Sequence, residues 1–111
     1  MGWKSRTNCD PEAKVERYLK DTIHNLGGLC WKFTSPGTKG VPDRIVVLND
    51  ILCFVELKRP KGGRIAPMQE WRVKQLIRNG QKAYVIKNVD MVDELVSYML
   101  KGELPDEVYT T

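Results

Sequence analysis

The sequence predicts an α/β fold: a mixed four-stranded sheet flanked by helices. Three observations carry that expectation. Apolar residues recur at helical spacing in three segments, around Val15–Leu26, Val73–Ile77 and Met91–Met99. Two β-rich runs, 42–48 and 51–58, are separated by Asn49-Asp50, the composition of a two-residue hairpin turn. A further β-rich run, 82–87, follows the second helical segment. A hairpin meander followed by a helical crossover makes the sheet mixed, with helices on its faces.

In order, Asp10-Pro11 reads as an N-cap followed by proline at the first helical position. Val15, Tyr18, Leu19, Thr22, Ile23 and Leu26 continue at helical spacing, and Gly27-Gly28 stops the helix. Residues 29–34 (LCWKFT) form a short strand and SPGTKG a loop. Pro67 opens a second helix that Asn79-Gly80 ends, and Asp90 is expected to cap a third, with Gly102 behind it. The order is αβββαβα. One domain over residues 1–111 is expected, with a loose tail from about residue 103.

A chain of 111 residues suffices for one modest core. Hydrophobic content of 41% and charged content of 29% argue against wholesale disorder. Neither a bilayer-spanning run nor a secretory leader is legible, so a cytoplasmic protein is the expectation. Cys9, Cys30 and Cys53 form no CxxC pair, which excludes a zinc knuckle; Cys30 and Cys53 read as buried thiols and Cys9 as exposed. The net charge of +4 is compatible with a nucleic-acid partner without requiring one. More telling is the loop KRPKGGR, which carries Lys58, Arg59, Lys61 and Arg64 within seven residues.

The hairpin serves as a ruler. Counting outward from Asn49-Asp50 sets Leu48 against Ile51, Arg44 against Val55, and Asp43 against Glu56. Side chains alternate between faces, so Glu56 and Lys58 share a face that Asp43 joins from the neighbouring strand. Ile45, Val47, Leu52 and Phe54 fill that face; Val46, Leu48, Ile51, Cys53, Val55 and Leu57 make the other equally apolar. Both faces are therefore expected to be covered. Opposed Cβ atoms lie roughly 4.5–5.5 Å apart, and like charges there destabilise a sheet. Two carboxylates so placed repel unless a cation lies between them.

Hard oxygen ligands without a matching histidine or thiolate suit magnesium. Lys58 would project beside the same spot, able to hold a scissile phosphate and help orient or deprotonate an attacking water. The competing account is a surface Glu-Lys pair worth ~0–1 kcal/mol at a strand end. Asp43 opposite Glu56, with the basic loop immediately following, brings the metal site level with that account.

GVPDR ending the approach to Asp43, FVELKRP from Phe54 to Pro60, Pro67-x-Gln69 and Gly27-Gly28 together resemble the VRR-NUC family of the PD-(D/E)XK nuclease superfamily, in particular its small stand-alone, often phage-encoded members. The likeness spans about residues 12 to 89. It implies a restriction-endonuclease-like core and magnesium- or manganese-dependent DNA cleavage. It carries over Asp43, Glu56 and the main-chain carbonyl of Leu57 as metal ligands, Lys58 as the catalytic lysine and Gln69 as the motif glutamine. It also implies a homodimer acting on branched DNA such as Holliday junctions. The family's first-helix glutamate falls on Glu12, with Glu16 as the alternative.

The remaining roles follow from position. Gln69 shares the sheet-facing side of the second helix with Val73, Leu76 and Ile77, so it needs hydrogen-bond partners there. Trp71 points away from that stripe with Met68 and Gln75, and this trio is the expected dimer interface. Lys39, Arg59, Lys61 and Arg64 are expected to grip DNA phosphates without reading bases. His24, the single histidine, reads as a surface residue. The reading is a metal-dependent DNA endonuclease; the alternatives are a non-catalytic DNA-binding module of the same fold and an interaction domain with no DNA affinity.

Overall fold

The computed structural model describes residues 11–106. Helix α1 (Pro11–Asn25) leads into strands β1 (Leu29–Lys32), β2 (Arg44–Leu48) and β3 (Ile51–Leu57). Helix α2 (Pro67–Arg78), strand β4 (Ala83–Ile86) and helix α3 (Val89–Leu100) follow. The strands lie in the order β1-β2-β3-β4. The first two pairings are antiparallel and β3 runs parallel to β4. This is the anticipated element order and the anticipated mixed sheet.

Asn49 and Asp50 both adopt positive φ, 56° and 65°, as a tight hairpin turn with matching strand twist demands. Their turn sets Leu48 against Ile51 and carries the register without slip to Arg44 against Val55. The glycine pair after α1 does two jobs. Gly27 takes a φ of 86° that reverses the chain, and Gly28 lies so close to β2 that a Cβ there would run into the Val47 carbonyl oxygen.

The main core lies on one side of the sheet. Val46, Leu48, Cys53, Val55 and Leu57 are buried against Val15, Leu19 and Ile23 of α1 and Val92, Leu95, Val96 and Met99 of α3. Tyr18 of α1 donates to Asp93 of α3 at 2.6 Å, tying the two helices together. On the other side lies α2 alone, which buries none of its residues. Leu52 and Trp31 of that sheet face are 45% and 60% exposed, and Ile77, expected in the core stripe, is 50% exposed. The expectation of a sheet covered on both faces holds in part: Glu56, Val85 and Ala83 are buried on the α2 side, while Leu52 and Trp31 are left open. Strand alternation marks two apolar faces but cannot say how many helices each receives.

Three local expectations also change. Asn88, not Asp90, caps α3: its side chain accepts from the Met91 backbone N–H at 2.9 Å, and Asp90 sits in the first turn, where its charge suits the helix N-terminus. The chain after α3 is not loose through residue 106. Leu104 packs against the core, and the buried Tyr84 hydroxyl donates to the Pro105 carbonyl at 2.6 Å. Cys53 is buried, which pushes its thiol up to about 12, whereas Cys30 is half-buried; both are free. The expected cap at Asp10, the exposed Cys9 and the last part of the tail lie outside the described residues. None of the described helices is long and apolar enough to cross a membrane.

Candidate active site

Continuing the β2–β3 ladder past Arg44 and Val55 would bring Leu57 opposite Pro42. Instead, the Leu57 backbone N–H donates to Asp43 Oδ2 at 3.0 Å. The Asp43 main chain meanwhile still pairs outward, its carbonyl accepting from the Phe33 N–H at 2.8 Å. The aspartate is thus pinned by backbone on both neighbouring strands. A residue's N–H and C=O point toward the same neighbouring strand, so the Leu57 carbonyl faces the Asp43 side as well.

Glu56 is 1% exposed, in a sheet whose other buried side chains are mostly apolar. Its Oε2 accepts from the Gln69 side-chain amide of α2 and stands 3.3 Å from Lys58 Nζ. Gln69 is oriented from behind: its Oε1 accepts the Ala66 backbone N–H at 2.9 Å, which turns the amide nitrogen toward Glu56. Helix α2 is therefore anchored to the site by its first turn. Glu56 Oε1 has no hydrogen-bond partner, although it is buried.

Burial first, and the nearby charge of Asp43 second, raise the Glu56 carboxyl from 4.5 to about 7, against the opposing pull of Lys58. A buried, unpartnered carboxylate oxygen beside a second carboxylate is the environment a hard divalent cation relieves. The residues present fit such an ion: Asp43, Glu56 and the Leu57 carbonyl are all oxygen donors. Among the described residues, no group of three or more His, Cys, Asp or Glu side chains is gathered to hold a metal.

That observation bears on the first helix. Glu16 is turned to Arg44, forming an ion pair and hydrogen bond with its guanidinium. Arg44 is 7% exposed and also donates to the Cys30 carbonyl. Because side chains alternate along the strand, Arg44 projects from the α1 side of the sheet and Asp43 from the other. Glu16 is thereby committed to the core side. Glu12 is half-buried in the first turn of the same helix, and neither glutamate joins Asp43 and Glu56 in a metal-holding cluster. The Glu16–Arg44 pair was missed from sequence, although the hairpin ruler already placed Arg44 on the face that α1 covers.

Lys39, Arg59, Lys61 and Arg64 are all exposed. Arg59 and Gly63 close the loop after β3 backbone against backbone; a Cβ at Gly63 would stand 2.5 Å from the Arg59 carbonyl oxygen. The loop is compact and presents its cations outward, next to Lys58. His24 is exposed, as anticipated.

Of the trio on α2, Trp71 is 46% exposed, with the Arg72 guanidinium 4.8 Å from its ring centroid. Met68, also 46% exposed, lies against Gly40 of the loop between β1 and β2. Gln75 is half-buried, its oxygen accepting from Arg72 Nη1 at 2.9 Å, and lines a cavity between α2 and that loop. Arg72 also donates to the Lys39 carbonyl at 2.7 Å, clamping the loop to the helix. No periodicity argument reveals such a tie.

The chain is 37% identical over 81 residues to a protein named "Putative nuclease p44" from Acyrthosiphon pisum secondary endosymbiont phage 1; the match covers 72% of this chain and 86% of the phage protein. A solved structure named "VRR_NUC domain" superposes with a TM-score of 0.75 at 27% identity, covering 81% of this chain and 98% of its own. A second, named "VRR_NUC domain protein", shares the fold at 18% identity with a TM-score of 0.67, covering 92% of this chain and 98% of its own. No family sequence model matches the chain.

Proposed function

From the premise that the chain belongs to the VRR-NUC family of nucleases, we propose that it is a metal-dependent DNA endonuclease acting on branched DNA. One observation carries the proposal. Glu56 is a buried carboxylate, paired on one oxygen with Lys58 and Gln69 and orphaned on the other, beside Asp43.

Asp43, Glu56 and the Leu57 carbonyl are the residues that would hold magnesium or manganese. When bound, the ion supplies charge neutralisation at phosphorus and activation of water. The chain's own groups do the remainder. Lys58, 3.3 Å from Glu56, is placed to donate to a phosphate oxygen and stabilise the charge that develops in an in-line displacement. Gln69 holds the Glu56 carboxylate in one orientation through its bond to Ala66. Lys39, Arg59, Lys61 and Arg64 are available to flanking phosphates, a sequence-independent grip that weakens with salt.

Action at a branch, rather than within plain duplex, pairs naturally with a homodimer that cuts two strands. The exposed Trp71 is the best-placed anchor on α2 for a second copy. The test is a panel of labelled duplex, flapped, nicked and four-way DNAs incubated with magnesium or manganese. Wild type is expected to cut the branched members. Asp43→Ala and Lys58→Ala are expected to bind them without cutting. Binding with no cleavage by wild type under any of these conditions would leave a DNA-binding module instead.

A further inference from the structure

A cavity of about 320 Å³ opens between α2 and the loop joining β1 to β2, and no role proposed so far uses it. Phe33, Pro42 and Leu76 give it apolar walls, while Thr38, Arg72 and Gln75 supply polar groups. We propose that this cavity receives a single unstacked nucleobase of the DNA, the base next to the phosphate that is cut. The proposal rests on the nuclease reading above and adds to it a physical reason for preferring distorted DNA.

Position argues first. Pro42 lines the cavity and its successor is Asp43, so cavity and candidate active site are adjacent along the chain, with Cα atoms about 3.8 Å apart. The same helix joins them: Gln69, which touches Glu56, shares a face with Arg72 and Leu76 at helical spacing. That adjacency would let a nucleotide held at the active site turn its base toward this opening.

Chemistry argues second. An aromatic ring with aliphatic neighbours suits the flat face of a base. Phe33 is itself braced by Phe54, the ring centroids 5.8 Å apart. Arg72 is held at three points, by the Lys39 carbonyl, by Gln75 and by the face of Trp71, so a cation is fixed at the wall. With its oxygen bound to Arg72, Gln75 still has two N–H donors to offer, suited to the carbonyl and ring-nitrogen acceptors of a base. The exposed Lys39 beside the opening gives the rim the sign that a phosphate backbone requires. A base must leave its stack to enter, and that is easiest where pairing is already broken.

The experiment uses two variants that fill the cavity from opposite walls, Leu76→Trp on the helix and Thr38→Trp on the loop, each checked for fold by circular dichroism. Binding is followed without divalent metal, using 2-aminopurine as the extra base of a single-nucleotide bulge and the same label in a fully paired duplex. Wild type is expected to bind the bulged DNA about tenfold more tightly, with a rise in emission as the label leaves its stack. Both variants are expected to lose that preference while keeping duplex affinity. Equal wild-type affinity for the two DNAs, or a preference that survives both fillings, overturns the proposal and leaves the nuclease reading intact. A cavity occupied by a second copy of the chain would instead show as a concentration-dependent sedimentation change lost in Thr38→Trp with bulge preference unaltered, which also overturns it. Failure to bind any DNA removes the nuclease reading and this inference together.

Discussion

Lys58 Nζ stands 3.3 Å from Glu56 Oε2 at the end of β3, and the glutamate's other oxygen is buried with no partner. The two residues are separated by Leu57 alone, whose side chain enters the core on the opposite face. One strand therefore delivers the acid and the base to the same side and anchors itself on the other.

The Glu56 carboxyl provides a pH signature. It sits at about 7 folded against 4.5 unfolded, so between those values the folded chain holds more protons than the unfolded one. Stability without metal is then greatest, as far as this group decides, below about pH 4.5 and falls as pH rises through 7, by about 3 kcal/mol in all. Denaturant unfolding in a chelator from pH 5 to 8 should show the decline, and Glu56→Gln should abolish it. An equal slope in the variant would exclude Glu56 as its source.

Divalent metal should reverse that loss. At pH 8, magnesium or manganese at about a hundred times its dissociation constant is expected to stabilise wild type by about 2.7 kcal/mol. Asp43→Ala and Glu56→Gln should respond far less. Calorimetric melting of the three proteins with and without the ion decides the matter, and equal shifts in all three would place the ion elsewhere.

Lys58→Ala is expected to lower the rate of cleavage about 10²–10³-fold while DNA affinity in the absence of metal changes little. Single-turnover kinetics beside an equilibrium binding curve separate these effects. A proportionate loss of both would reduce Lys58 to a phosphate contact.

Glu16→Ala should act on stability alone. It leaves Arg44 buried with its Nε already lacking a partner. Since Glu16 itself is about one-third exposed, the expected loss is about 1–3 kcal/mol. Cleavage at a temperature where the variant is folded should stay within a few-fold of wild type. A collapse of activity in a fully folded variant would return Glu16 to the metal site.

In sedimentation velocity, wild type is expected to run as a dimer and Trp71→Glu as a monomer. An unchanged dimer would shift the interface away from α2, for instance to the bare sheet face around Trp31 and Leu52.

Local rules settled much of this protein. Asn49-Asp50 could only favour one tight turn, and because strand side chains alternate with a period of two, that turn determined which side of the sheet Asp43, Glu56 and Lys58 occupy. Gln69 was legible as a polar residue on a sheet-facing stripe, though not as the one that holds Glu56 through Ala66. Tertiary structure alone decided the rest. It assigned both α1 and α3 to one face, left α2 thinly seated on the other, gave Glu16 to Arg44, and tied Arg72 to the Lys39 carbonyl. Periodicity reports which side of an element is apolar; which partner meets that side depends on contacts between residues far apart in the chain, and no local spacing encodes those.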